Sequence, residues 1–170
     1  MAIAVLAIST LSAMPAWERG TARANALCMS DGELRAFLHN VTLRSFGMGL
    51  GICAENYREL RRSNEQLLKL LEKNHGKFFS DTDVAAKRPF QRAYGPRAEI
   101  EYERAEDAAN ASGKTQYEAY SLAQCQTHRS GVEVIFGGSQ SVNGERVAAT
   151  LEKFMATYWE KERAKLARCR

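Results

Sequence analysis

Apolar and charged side chains separate most clearly between Cys53 and Gly76, CAENYRELRRSNEQLLKLLEKNHG. Placed on a helix, Tyr57, Leu60, Leu67, Leu68 and Leu71 share one stripe with Leu70 at its flank, while Arg58, Arg61, Arg62, Glu65, Lys69, Glu72 and Lys73 lie opposite. Arg61–Glu65 and Glu65–Lys69 are i,i+4 pairs of opposite charge, each worth about 0.3 kcal/mol. Asn74-His75-Gly76 reads as a stop, with Gly76 free to take the left-handed position after a helix end. Cys53 falls on the leucine face, which places its thiol in the core. The stretch is therefore expected to be a central scaffold helix whose leucines face the first helix and the last.

The same pattern predicts helices along most of the chain. Ser30-Asp31-Gly32-Glu33 is a capping box, and Leu34, Phe37, Leu38 and Val41 follow at helical spacing, so a first helix runs from about Asp31 to Phe46. Gly47-Met48-Gly49-Leu50-Gly51 then either breaks the chain or admits a close neighbour. Phe78-Phe79 is expected to plug one end of the core, and a helix over 81–94 carries a kink or restart at Pro89. Gly95-Pro96 is a firm reversal. A fourth helix covers 97–111 and ends at Ser112-Gly113, a fifth covers 115–127, and a last one runs from about Gly144 to Cys169. The segment 131–143 is the one non-helical candidate, with Val132, Val134, Ile135 and Phe136 suited to a short strand or plug. The fold class expected is all-α, a single-domain bundle of about five helices.

Composition adds direction rather than identity. Three prolines in 170 residues, with 45% hydrophobic and 26% charged positions, suit one helical globular domain. The net charge of +4 comes from interspersed charges, 24 basic and 20 acidic, and is too small to point to nucleic acid. Residues 2–16, AIAVLAISTLSAMPA, are uncharged and apolar, and shorter than the roughly 20 residues a membrane span needs. Ala24-Asn25-Ala26 supplies an A-x-A cleavage site. Residues 1–26 thus read as a signal peptide, although no Lys or Arg follows Met1. Its removal takes away Glu18, Arg19 and Arg23 and leaves 22 basic against 19 acidic residues in a domain over 27–170, with no stable membrane span. The expected location is periplasmic or secreted.

All four cysteines lie in that domain, and an even count in an exported chain implies two disulfides. With Cys28 at the bottom of an up-and-down bundle and Cys53 at the top, two genuine reversals at Gly95-Pro96 and Ser112-Gly113 bring Cys125 to the top and Cys169 to the bottom. That arrangement pairs Cys53 with Cys125 and Cys28 with Cys169, and it joins the two mature ends. If one break is only a kink, the pairs become Cys28–Cys125 and Cys53–Cys169. Cys28–Cys53 is disfavoured, because an extended first helix holds the two about 25 Å or more apart.

The chemistry-bearing residues form no catalytic motif. His39, His75 and His128 stand in no metal-ligand spacing and are expected at the surface or at caps. Gly47-x-Gly49-x-Gly51 lacks the strand–turn–helix frame of a phosphate loop, and Gly138-Ser139 is not a nucleophile elbow. No cofactor or metal is expected. Glu99, Glu103, Glu106 and Asp107, interleaved with Arg97 and Arg104, read first as a solvated, salt-bridged face and second as a carboxylate site. Lys161, Arg163, Lys165 and Arg168 complement the dipole at the end of the last helix, and are the candidate surface for an acidic partner. Asn40-Val41-Thr42 and Asn110-Ala111-Ser112 match the glycosylation pattern.

A leader followed by a small cysteine-stapled helical body resembles the layout of bacterial periplasmic acid-stress chaperones, and of the immunity proteins that neutralise secreted cell-wall amidases. The resemblance is one of layout and assigns no site residue. The function expected from the sequence is an exported, non-catalytic helical module binding a protein partner, as an inhibitor, immunity protein or scaffold. The alternatives are an envelope enzyme with a carboxylate site on 97–111, or a small-ligand carrier, which needs an unfilled space between helices.

Overall fold

A computed structural model describes residues 27–137 and 144–153, and these are helical nearly throughout. The all-α class holds. Helix α1 spans Asp31–Asn56, α2 Arg58–Tyr94, α3 Ala98–Glu118 and α4 Leu122–Ile135, and a further helical segment, α5, covers 144–153. Within α1–α4 the chain runs up, down, up, down, with α1 the axis. Leu34, Leu38, Val41, Leu50 and Cys53 of α1 are buried against different neighbours along its length.

Three boundaries differ from the sequence expectation, each for a tertiary reason. The first helix does not fade near Phe46; it passes through Gly47, Gly49 and Gly51 to Asn56. Helical glycines each cost about 1 kcal/mol relative to alanine, but Gly49 is where other elements close on α1. A Cβ built there would sit 2.5 Å from His128 Nε2 and 2.8 Å from Tyr117 Cε1. Close approach, not a break, is what that glycine serves. Cys53 consequently lies in the last turn of α1, and the reversal comes at Tyr57, whose extended backbone separates the helices while its hydroxyl donates to Tyr120 O at 2.8 Å.

Gly76 likewise does not end its helix. α2 runs on to Tyr94, 37 residues in all, because the turns beyond Gly76 carry their own burial. His75 reaches Phe136 O at 3.2 Å, Phe78 and Phe79 pack on the middle of the core, and Ala86 and Phe90 pack on its lower part. Pro89 is buried inside α2. The Gly95-Pro96 reversal stands as expected: Gly95 adopts φ 54°, and a short 3-10 turn Gly95–Arg97 leads into α3.

α3 runs through Ser112-Gly113 to Glu118. Gly113 faces α1, with the position of a Cβ 3.5 Å from Ser45 Oγ. The real stop is Ala119–Ser121, where Ser121 and Gln124 form a capping box that opens α4. The strand expected near 132–136 is instead the end of α4. Its buried residues Cys125, His128, Val132 and Ile135 recur at spacings of three and four, the helical period.

The core has three parts. Met29, Leu34, Leu38, Phe90 and Tyr102 fill the bottom, and Leu50, Leu67, Leu71, Val132, Phe136, Val147 and Leu151 fill the middle. Cys53, Leu60, Tyr117, Tyr120 and Cys125 close the top. Leu67 and Leu71 therefore do face α1 and α5, as the sequence suggested. Cys53 and Cys125 are bonded, with Cα atoms 5.6 Å apart. Closing a loop of 72 residues contributes about 4 kcal/mol on the chain-entropy picture. The parity expectation gave this pair although its reversals were misplaced: the stops imagined at Gly76 and Gly113 cancelled in the count. No described cysteine is free. Cys169 lies outside the described residues, and with it the expected Cys28–Cys169 bridge. The expected leader over 1–26 and the expected continuation of the last helix beyond 153 lie outside them too.

Gly49 and Gly51 make a matched test of the α1 axis. Nothing approaches within 4 Å of a Cβ at Gly51. Gly51→Ala is expected to leave denaturant stability unchanged or raise it by up to about 1 kcal/mol. Gly49→Ala, which must displace His128 and Tyr117, is expected to cost about 2 kcal/mol. Equal effects in urea melts would contradict the close approach.

Candidate functional site

The side chains with most chemistry meet where α1, α2 and α3 face one another. Helical periodicity puts each helix's contribution one turn apart: Asn40 and Arg44 on α1, Asp83 and Lys87 on α2, and Glu99, Tyr102, Glu103 and Glu106 on α3. Together with Leu43, Phe46, Gly47, Leu68, Leu71, Phe79 and Phe136 they line a cleft of about 720 Å³. Its apolar lining comes from α1, α2 and the end of α4, and its charged lining from α1, α2 and α3.

Glu106 is the centre of the charged lining. It is only 2% exposed. Burying a carboxylate costs several kcal/mol unless donors replace its water, and three side chains do so here. Asn40 Nδ2 donates to Oε1 at 2.7 Å, Tyr102 OH donates to the same oxygen at 2.9 Å, and Arg44 pairs with Oε2. Arg44 also reaches Asp107 Oδ1 at 3.5 Å on the outer lip. Burial opposes the charge on Arg44, but Glu106 outweighs it and holds the guanidinium above its ordinary value. Burial, and then Glu106, push the Tyr102 phenol up, which keeps it a donor.

A second ion cluster sits beside the first. Lys87 Nζ lies 3.0 Å from Asp83 Oδ2 and 2.8 Å from Glu99 Oε1, and 5.3 Å above the Tyr102 ring. Burial opposes the lysine's charge, but the two carboxylates prevail and raise it. Glu72 and Glu103, both exposed, have no ion-pair partner among the described residues.

The carboxylate run of α3 is thus not one solvated face. Asp107 does sit outside, and the half-buried Glu101 is bonded to Arg97 at 2.6 Å and Arg104 at 3.1 Å. Glu99 and Glu103 line the cleft, and Glu106 is buried in it. Arg44, Asp83, Lys87 and Tyr102 were not singled out from the sequence, and their signal was weak: polar positions one turn apart on three separate helices. Asn40 and Asn110 read as glycosylation acceptors. The structure spends the Asn40 amide on Glu106 and buries Asn110. Lys161, Arg163, Lys165 and Arg168 lie outside the described residues.

The histidines are neither surface nor capping residues: His39, His75 and His128 are 4%, 3% and 7% exposed. His128 lies between Phe46 O, at 3.3 Å, and the Tyr117 ring, at 4.9 Å between centroids. His39 packs beside Phe78 near the Arg35–Glu152 ion pair. Among the described residues no group of three or more His, Cys, Asp or Glu is placed to hold a metal ion, and no helix is long and apolar enough to cross a membrane.

No family model matches the chain, and neither does any curated protein or solved structure.

Burial holds His39 and His128 below the ordinary imidazole value of 6.5. Folding thus favours the neutral rings, so stability is full above about pH 6.5 and falls as pH drops below it toward the lower folded values. Glu33 adds a later loss. Its bond to Arg92 holds it at about 2 against 4.5, so its stabilisation is present above 4.5 and disappears as pH falls toward 2. Melting temperature followed by circular dichroism should be flat above pH 7, then decline between about 6.5 and 5. His128→Gln, which can still donate to Phe46 O, should flatten part of that decline. A wild-type profile level down to pH 5 would contradict the buried neutral histidines.

Proposed function

We propose that the protein is an exported, non-catalytic binding module that seats a small organic ligand in the cleft between α1, α2 and α3. One observation carries this reading. The helices leave an open cleft of about 720 Å³ lined by both apolar and charged residues, within the roughly 300–1,000 Å³ typical of small-molecule sites. A protein interface generally needs about 800 Å² from each partner, and the candidate partner surface, Lys161, Arg163, Lys165 and Arg168, lies outside the described residues. A binding role also suits most of the carboxylates: Glu106 is committed to Arg44, Asn40 and Tyr102, and Asp83 and Glu99 to Lys87, while Glu72 and Glu103, without ion-pair partners among the described residues, are exposed. The Cys53–Cys125 bond is compatible with export to an oxidising compartment.

Gly47 offers a clean test. It lines the cleft, and nothing lies within 4 Å of a Cβ built on it. Gly47→Phe therefore projects a ring into the space without a backbone clash and should fold at least as stably as wild type. The uncharged fluorophore N-phenyl-1-naphthylamine should bind the wild type at one site per chain, and Gly47→Phe at least about tenfold more weakly. Equal binding by both, with melting temperatures unchanged, would contradict the cleft as the site.

A further inference from the structure

Resting on that reading, we infer that the ligand is an organic cation, a protonated primary amine on an aliphatic body. The charges lining the cleft do not balance: five carboxylates stand against three cations. Arg44 is spent on Glu106, and the single ammonium of Lys87 is shared by Asp83 and Glu99. That leaves Glu72, contributed by α2, and Glu103, contributed by α3, against Lys69 alone, and none of these three has an ion-pair partner among the described residues. An anion entering the cleft meets two uncompensated carboxylates and gains only Lys69. An ammonium meets the surplus and leaves the existing ion clusters intact. The apolar lining contributed by Leu43, Phe46, Leu68 and Phe79 gives an alkyl body surface to cover, so the cleft matches an amine with a chain rather than a bare ion.

Competition against bound N-phenyl-1-naphthylamine separates this inference from the reading beneath it. At pH 7, n-octylamine, n-octanoate and 1-octanol share one chain and differ in charge. Octylamine should displace the fluorophore at about tenfold lower concentration than octanol, and octanoate should compete more weakly than octanol. Glu72→Gln combined with Glu103→Gln should remove the octylamine advantage, a loss of about tenfold, while octanol stays unchanged. Both positions are exposed, so the double variant should fold as wild type, which its melting temperature checks. Octanoate competing as well as octylamine, or an octylamine advantage that survives both substitutions, would overturn the cationic ligand and leave the cleft reading standing. If the fluorophore finds no site on the wild type, the cleft reading fails and the cationic ligand with it.

Discussion

The arrangement of the first three helices depends on where the Glu106 carboxylate goes. A buried carboxylate is costly unless it is fully coordinated, and Asn40, Arg44 and Tyr102 coordinate it from two helices. That requirement ties α3 to α1, and Ser45–Tyr117 at 3.1 Å and the Gly49 notch continue the contact upward. α2 meets α3 around Phe90, Lys87, Glu99 and Tyr102. Leu68 and Leu71 of α2 and Glu103 and Glu106 of α3 are among the residues that line the open cleft. The cleft follows from one buried charge held toward α1.

The histidines serve the other side of α1. His128 of α4 inserts against Gly49, and His75 of α2 holds the carbonyl of Phe136 at the end of α4. Both join the α1–α2 hairpin to the part of the chain that Cys125 bonds to its tip. Disulfide, glycine notch and imidazoles act on the same seam, so α4 is fixed at its start, middle and end. On the α1–α2–α3 side the rings of Phe37, Phe90 and Tyr102 join the helices at the bottom, with the Arg44–Glu106 and Lys87–Glu99 ion pairs beside them, and this is the side that carries the cleft.

Local signals were legible wherever the chain's own neighbours decide the outcome. The Ser30–Glu33 capping box and the Gly95-Pro96 reversal lie where the sequence puts them, and the Ser121–Gln124 box was equally readable. The helical spacing of Cys125, His128, Val132 and Ile135 also spoke against a strand. Gly76 and Gly113 misled because a glycine ends a helix only when the turns beyond it have nothing to bury, and here they carry Phe79 and Tyr117 into the core. Glu106 was the least legible. Its partners Asn40 and Arg44 lie 66 and 62 residues away, so only the fold separates a buried carboxylate from its solvated neighbours in EIEYERAED.

The most direct measurement is a double-mutant cycle on that charge: Arg44→Met, Glu106→Gln and the pair, each unfolded in denaturant. Removing Arg44 leaves the Glu106 carboxylate buried and short of its cation, so the single variant should lose about 2–4 kcal/mol. With Glu106 already neutral, the arginine has much less to neutralise. The two losses should therefore fall short of additive by at least about 1.5 kcal/mol. Additivity within about 0.5 kcal/mol would contradict a fold organised around this carboxylate.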